Sequence, residues 1–224
     1  GYGRVIVGTV SGTSLSFGTA VVFESSSTVY ISMNFDPNNA NKFVVAYRGT
    51  SNYGKAIVGT VSGTSISFGT AVVFESADTG YISMAFDASN ANKFVVAYSD
   101  AGNSDYGTAV VGTVSGTSLS FGTAVVFESA QSIYMSMDFD PNNANKFVVA
   151  YQNTTNSSYG TAVVGTVSGT SLSFGSASVF ESASTTFIST AFDPTNAGQF
   201  VVAYRGTSGY GTAIVGQIEV TVST

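Results

Sequence analysis

Four glutamates, Glu24, Glu75, Glu128 and Glu181, stand in the same setting, VFES, and could be the carboxylates of a hydrolase. Glycoside hydrolysis needs two carboxylates placed across one bond. Four equivalent glutamates point instead to a structural role repeated along the chain, because a catalytic pair belongs to one site. Lys42, Lys93 and Lys146 are candidate partners for them, and the corresponding position 199 is glutamine. The chain has no histidine and no cysteine, so the common nucleophile–base pairs, thiolate metal ligands and disulfides are all missing. Its three arginines, Arg4, Arg48 and Arg205, are scattered. We expect a non-enzymatic protein without a cofactor.

Two further patterns are weaker. Gly107–Thr113, GTAVVGT, has the glycines of a phosphate loop but lacks its lysine and reads as strand, with glycines that let neighbouring sheets approach. Asp36, Asn38, Asn39 and Asn41 suggest calcium, but Ala40 breaks the ligand alternation and no glutamate follows at the required distance. Turn capping by Asp36, with Asn41 in a left-handed conformation, is the expectation. Gly198, at the place of Asn41, agrees with it.

These residues ride on a repeat. YGTAVVGTVSGTSLSFGTAVVFES (106–129) recurs with few changes at 2–25, 53–76 and 159–182, and in part at 210–224. The initial tyrosines are 51, 53, 53 and 51 residues apart, a period that signals tandem supersecondary units. We divide the single domain, 1–224, into repeats 2–52, 53–105, 106–158 and 159–209 and a partial repeat 210–224. Gly1-Tyr2-Gly3 matches Gly209-Tyr210-Gly211, so the chain opens inside a repeat, as expected of a processed or longer polypeptide.

Each period holds four strand-like runs, in the first repeat 4–10, 15–25, 29–36 and 42–48, rich in Val, Ile, Phe and Tyr and separated by Gly, Ser, Asn and Pro. No segment sustains a helical period. Most strands are apolar or small on both faces, which predicts sheets covered on both sides. Four strands per period, stacked face to face, predict an all-β propeller of four blades of four antiparallel strands. The strand at 29–36 should be innermost and 15–25 outermost. The last blade should be completed by N-terminal strands in a terminal closure, with 2–10 and 210–218 competing for one place. Phe68 and Phe121 should lie between sheets.

The hairpins FDPNNANKFVVAY (35–47) and FDPTNAGQFVVAY (192–204), followed by SGTSLSFGTAVVF, resemble the repeats of sialidase-like and other highly repetitive propellers. The aspartate and tryptophan of the Asp-box of that class are replaced, with Phe17, Phe68, Phe121 and Phe174 at the aromatic place. The resemblance covers the whole chain and implies fold more than activity. A sialidase arginine triad cannot be assembled.

Tyr47, Tyr98, Tyr151 and Tyr204 end the second hairpin strand and are followed by Arg48, Ser99, Gln152 and Arg205. Propellers that bind sugars use aromatic rings and polar loop groups once per blade, which makes Tyr47, Arg48, Tyr98, Tyr151, Gln152, Tyr204 and Arg205 the candidate ligand contacts. The alternative is that the tyrosines pack between blades with satisfied hydroxyls. Variable loops after them are where function concentrates.

Charged residues are only 9% and the net charge is −6, so clustered cations for nucleic acid or an anionic membrane surface are lacking, and no run reaches a membrane-spanning length. We expect a binding module at a cell surface or virion, recognising glycans through equivalent loops. The alternative is a structural unit of a larger fibre or surface assembly. Its partners would be glycans or other subunits, with homo-oligomerisation through the terminal strands.

Overall fold

The computed structural model describes residues 1–218. The fold is all-β, 67% strand and 4% helix. An N-terminal unit holds β1 (Gly3–Val5), β2 (Gly8–Ser11), β3 (Ser14–Phe17) and β4 (Val21–Glu24). A first complete blade follows, of β5 (Val29–Phe35), β6 (Lys42–Arg48), β7 (Tyr53–Ser62), β8 (Ser65–Phe68) and the start of β9 (Val72–Phe86). The second blade takes the end of β9, then β10 (Lys93–Asp100), β11 (Tyr106–Ser115), β12 (Ser118–Phe121) and the start of β13 (Val125–Phe139). The third takes the end of β13, then β14 (Lys146–Asn153), β15 (Tyr159–Ser168), β16 (Ser171–Phe174) and β17 (Ser178–Ser184). β18 (Thr186–Phe192), β19 (Gln199–Arg205) and β20 (Gly211–Gln217) form a three-stranded C-terminal unit.

Each blade is an antiparallel meander. The fourth place is shared: β8 pairs the end of β7 from Gly59 to Ser62, and β9 pairs its beginning from Tyr53 to Ala56. β9 then crosses without a break into the innermost place of the next blade, where it pairs β10. This one strand makes both the outer edge of one blade and the inner edge of the next. The two-residue turn of the SGTS motif places Gly12, Gly63, Gly116 and Gly169 at φ between +59° and +63°, the conformation required at the first loop position of a II′ hairpin.

The second strand of each complete blade is the centre of the core. Val44, Val95 and Val148 on one face and Val45, Val96 and Val149 on the other are all buried. Stacking a blade on either side covers both faces, as the strand composition predicted. The glycines correct one expectation. An added Cβ at Gly112 would lie 2.1 Å from the ring of Phe94, its cross-strand partner, and one at Gly107 2.5 Å from Phe127. These glycines make room for aromatic rings of their own blade. Close approach between blades occurs at Gly69 and Gly122, where a Cβ would come within 1.9 and 2.0 Å of the carbonyls of Thr117 and Thr170 in the next blade.

The expected terminal closure is not formed among the described residues. β1 pairs β4, and β20 pairs β19 over seven residue pairs from Gln199–Gln217 to Arg205–Gly211. Tyr2–Gly8 and Tyr210–Gly216 are both third-strand sequences, so each takes that place in its own unit instead of competing for one. The expected run 4–10 is broken, with Gly8–Ser11 leaving β1 to pair Ser14–Phe17. Residues 219–224, the end of the partial repeat, lie outside the described residues.

Candidate functional site

The loops after the second strand, 49–52, 101–105, 154–158 and 206–210, gather at the same end of the array as the crossovers before β5, within β9 and β13, and before β18. At each crossover the inner strand bulges. Two residues, Tyr30–Ile31 in β5 and Tyr81–Ile82 in β9, oppose the single residues Tyr47 and Tyr98. The first bulged residue is left-handed every time: Tyr30 and Tyr81 at φ 50°, Tyr134 at 52° and Phe187 at 53°. Glycine takes this conformation freely, whereas a bulky side chain costs roughly 1–2 kcal/mol there. The same backbone cost recurs at four equivalent positions, each carrying an aromatic ring.

The four rings form a ladder. Centroids of Tyr30 and Tyr81 are 5.1 Å apart, of Tyr81 and Tyr134 5.4 Å, and of Tyr134 and Phe187 5.3 Å. The rungs are held in register by hydroxyls bridging neighbouring inner strands. The backbone N–H groups of Met84, Met137 and Thr190 donate to Ser32, Ser83 and Ser136 at 3.1, 3.0 and 2.9 Å. Tyr81, in the middle, has its pKa raised by burial and then by its neighbours Tyr30 and Tyr134. Phe187 is 66% exposed.

Polar groups rim the ladder. The Arg48 guanidinium sits 5.1 Å from the Tyr30 centroid and donates to Asp78 at 2.7 Å, and Asn52 also donates to Asp78, at 3.3 Å. Gln131 donates to Asp105 at 3.1 Å and accepts from Thr154 at 2.9 Å. Gln152 is buried and donates to Ser184 at 3.5 Å, while Arg205 is exposed.

The four tyrosines singled out from the sequence lie beneath this end, buried between blades. Tyr98, Tyr151 and Tyr204 donate to Glu75, Glu128 and Glu181 of the preceding blade at 3.2, 2.8 and 2.9 Å. Burial, then these carboxylates, push the Tyr98 and Tyr151 pKa values up. The lysines are not the partners of the glutamates: Lys93 and Lys146 donate to Thr113 and Thr166, both at 2.7 Å, and Lys42 to the Gly116 carbonyl. Their place on the strand sets them beside a threonine or turn carbonyl at the far end from the glutamates.

The first junction differs. Lys55 replaces the threonine of Thr108 and Thr161, and it donates to Glu24 at 3.0 Å. Burial raises the Glu24 pKa, but the hydrogen bond and charge of Lys55 outweigh it and leave the carboxyl below its usual value. The buried Tyr47 hydroxyl is left without a partner.

At the opposite end Asp36 caps its turn, accepting from the Asn38 backbone at 2.9 Å and the Asn39 side chain at 2.6 Å, with Asn41 at φ 66°. Asn39 donates to Asn92 of the next blade at 2.7 Å. Among the described residues no group of three or more acidic side chains converges on a metal-sized space.

In the sequence the ladder shows only as an aromatic residue at each of Tyr30, Tyr81, Tyr134 and Phe187; the positive φ that sets these apart from ordinary strand aromatics is visible only in the structure.

No family model matches the chain, and no curated protein matches it by sequence. Solved structures do. The NanB sialidase of Streptococcus pneumoniae is 11% identical over 95% of this chain and 35% of its own, with a TM-score of 0.64. AofleA of Arthrobotrys oligospora is 11% identical over 97% of this chain and 70% of its own, at 0.59. Sqt1 of Chaetomium thermophilum is 13% identical over 82% of this chain, at 0.54, and the chain spans only 42% of its length. Propellers are among the structures that this chain resembles. At these identities the likeness shows the fold alone: an all-β array of propeller-like blades, with no closed ring among the described residues.

Proposed function

We propose that the chain is a non-catalytic binding module that recognises glycans at the loop end of the array. The aromatic ladder carries this reading. It keeps four strained aromatics in line at one end, rimmed by Arg48, Asn52, Asp78, Asp105 and Gln131. Aromatic rings offer apolar faces to sugar C–H groups, and polar loop groups pair with hydroxyls; binding sites of this kind combine an apolar surface with a few convergent polar groups. Of the candidates read from the sequence, Arg48 and Arg205 fit ligand contact, Gln152 supports the rim, and Tyr47, Tyr98, Tyr151 and Tyr204 support the floor from below. The name of the sialidase among the similar structures agrees with a carbohydrate ligand.

A non-catalytic role is supported by the recurring glutamates, three of which are occupied by tyrosine hydroxyls and one by Lys55. Such a module works where glycans are displayed, at a cell or virion surface. A glycan array followed by calorimetry tests it. Retention of a set of related glycans, with heats that fit equivalent weak sites, is the expected result. Retention of none rules out the reading.

A further inference from the structure

The two ends of the array are the two halves of an interface that the chain already forms inside itself. In the interior, Ala85, Val95 and Ala97 of one blade pack on Met135, Met137 and Phe139 of the next. The same match recurs where Val44 and Ala46 meet Ile82, Met84 and Phe86. At the ends the matching positions are uncovered. Met33 is 43% exposed, against 4% for Met84 and 5% for Met137, and Ile31 and Phe35 beside it are exposed too. Val201 is 42% exposed, against 0% for Val95, and Ala191 and Ala203 flank it in the open.

The strand complement fits in the same way. The N-terminal unit supplies the third and fourth places of a blade, β1 and β4, and packs Val5 and Phe23 over the outer half of the first blade. Its first and second places are empty, which leaves the inner strand β5 bare. The C-terminal unit supplies the first and second places, β18 and β19.

We infer that a second copy of this chain docks head to tail, with β18 and β19 of one copy completing the blade begun by β1 and β4 of the other. Ala191, Val201 and Ala203 then cover Ile31, Met33 and Phe35. The partner is a copy of this chain because the buried match is side chain for side chain the one repeated within it. β20 and β1 are alternative third strands, YGTAIVG and YGRVIVG, and docking replaces one by the other. β20 gives way, since it is exposed along nearly all its length. Such a contact joins unlike surfaces, so it closes into a ring or grows as a chain of copies.

Sedimentation of the full chain tests this, with Met33→Asp and Val201→Asp as variants. Both residues are exposed, so each variant keeps its fold by circular dichroism. The unaltered chain should sediment as two or more copies. Each variant alone should be a single chain, because every contact needs one end of each kind. An equimolar mixture should recover a complex of two chains, through the intact end of each. Removing residues 210–224 should preserve or tighten association. A single-chain mass for the unaltered protein, association surviving in either variant alone, no complex in the mixture, or loss of association on truncation would each overturn the inference. The first of these outcomes is also what closure of one chain on itself would give.

Discussion

The Tyr151 hydroxyl donates to the Glu128 carboxylate at 2.8 Å across the boundary between the second and third blades. The bond ties the second strand of one blade to the outer strand of the blade before it. It recurs at Tyr98–Glu75 and Tyr204–Glu181 and fails at Tyr47, where Lys55 has taken Glu24. Each tyrosine ring also packs on the phenylalanine preceding its glutamate in sequence, as Tyr151 does on Phe127 at 5.3 Å.

Removing the hydroxyl should therefore have opposite consequences at two equivalent positions. Tyr151→Phe removes the hydrogen bond to Glu128 and should cost about 1.5–3 kcal/mol, the range for a hydrogen bond to a charged group. Tyr47→Phe deletes a buried hydroxyl that has no partner and should be neutral or slightly stabilising. Chemical denaturation of both variants checks the difference, and equal losses would mean that Tyr47 also bonds Glu24.

The same tyrosines set an alkaline limit. Tyrosine is neutral below its pKa, and burial, followed by the neighbouring carboxylates, raises Tyr98 and Tyr151 above the usual 10.0. The folded chain holds these protons more tightly than the unfolded chain does. Stability from this source is complete below pH 10 and falls as pH rises beyond it, where the unfolded state gives up protons that the folded state keeps. Melting temperature against pH should drop above about pH 10, and more steeply than in the double variant Tyr98→Phe, Tyr151→Phe. Parallel curves would assign the alkaline loss to other groups.

One repeat position samples different depths of the array. Phe17 is 65% exposed, whereas Phe121, at the same place, packs on Phe74 and Phe94 with centroids 5.6 and 5.9 Å away. Phe121 is only partly buried, so Phe121→Ala should cost roughly 2–4 kcal/mol, and Phe17→Ala should stay within about 0.5 kcal/mol. Urea midpoints of the two variants give the comparison. A similar loss at both would place a covering surface over Phe17.

The ladder should also be a stability cost. Phe187→Gly removes a left-handed aromatic at the exposed end of the row, and relief of strain should raise stability by about 1 kcal/mol, less whatever stacking on Tyr134 returned. Differential scanning calorimetry reads the sign. A clear fall in melting temperature would make the ladder a packing device instead of a site held under strain.

Much of the fold was legible in the sequence because the repeat makes one local rule apply many times. Gly12 and Asn41, with Gly198 at the latter's place in the last, call for their turns in each of the four full copies, and Val44 and Val45, apolar on both faces of one strand, require a neighbour on each side. Closure was not legible, since YGRVIVG and YGTAIVG are chemically the same strand and only pairing shows which unit each one joins. The glutamates' tyrosine partners lie 23 residues away in sequence and in a different blade, so proximity of charge suggested the lysines instead. Tyr98 and Tyr81 both read as aromatic strand residues. A bulge places them opposite each other, burying Tyr98 and turning Tyr81 out into the ladder.

Calorimetric titration of an array-identified glycan into the Tyr134→Asn variant measures whether the ladder itself holds the sugar. Asparagine tolerates the left-handed backbone, so the variant keeps its fold while losing one ring from the middle of the row. Affinity should fall at least about tenfold, a loss of about 1.4 kcal/mol, while Asn38→Ala, in the Asp36 turn at the opposite end of the array, binds as the unaltered chain does. Unchanged affinity in Tyr134→Asn would mean that the ladder does not hold the sugar.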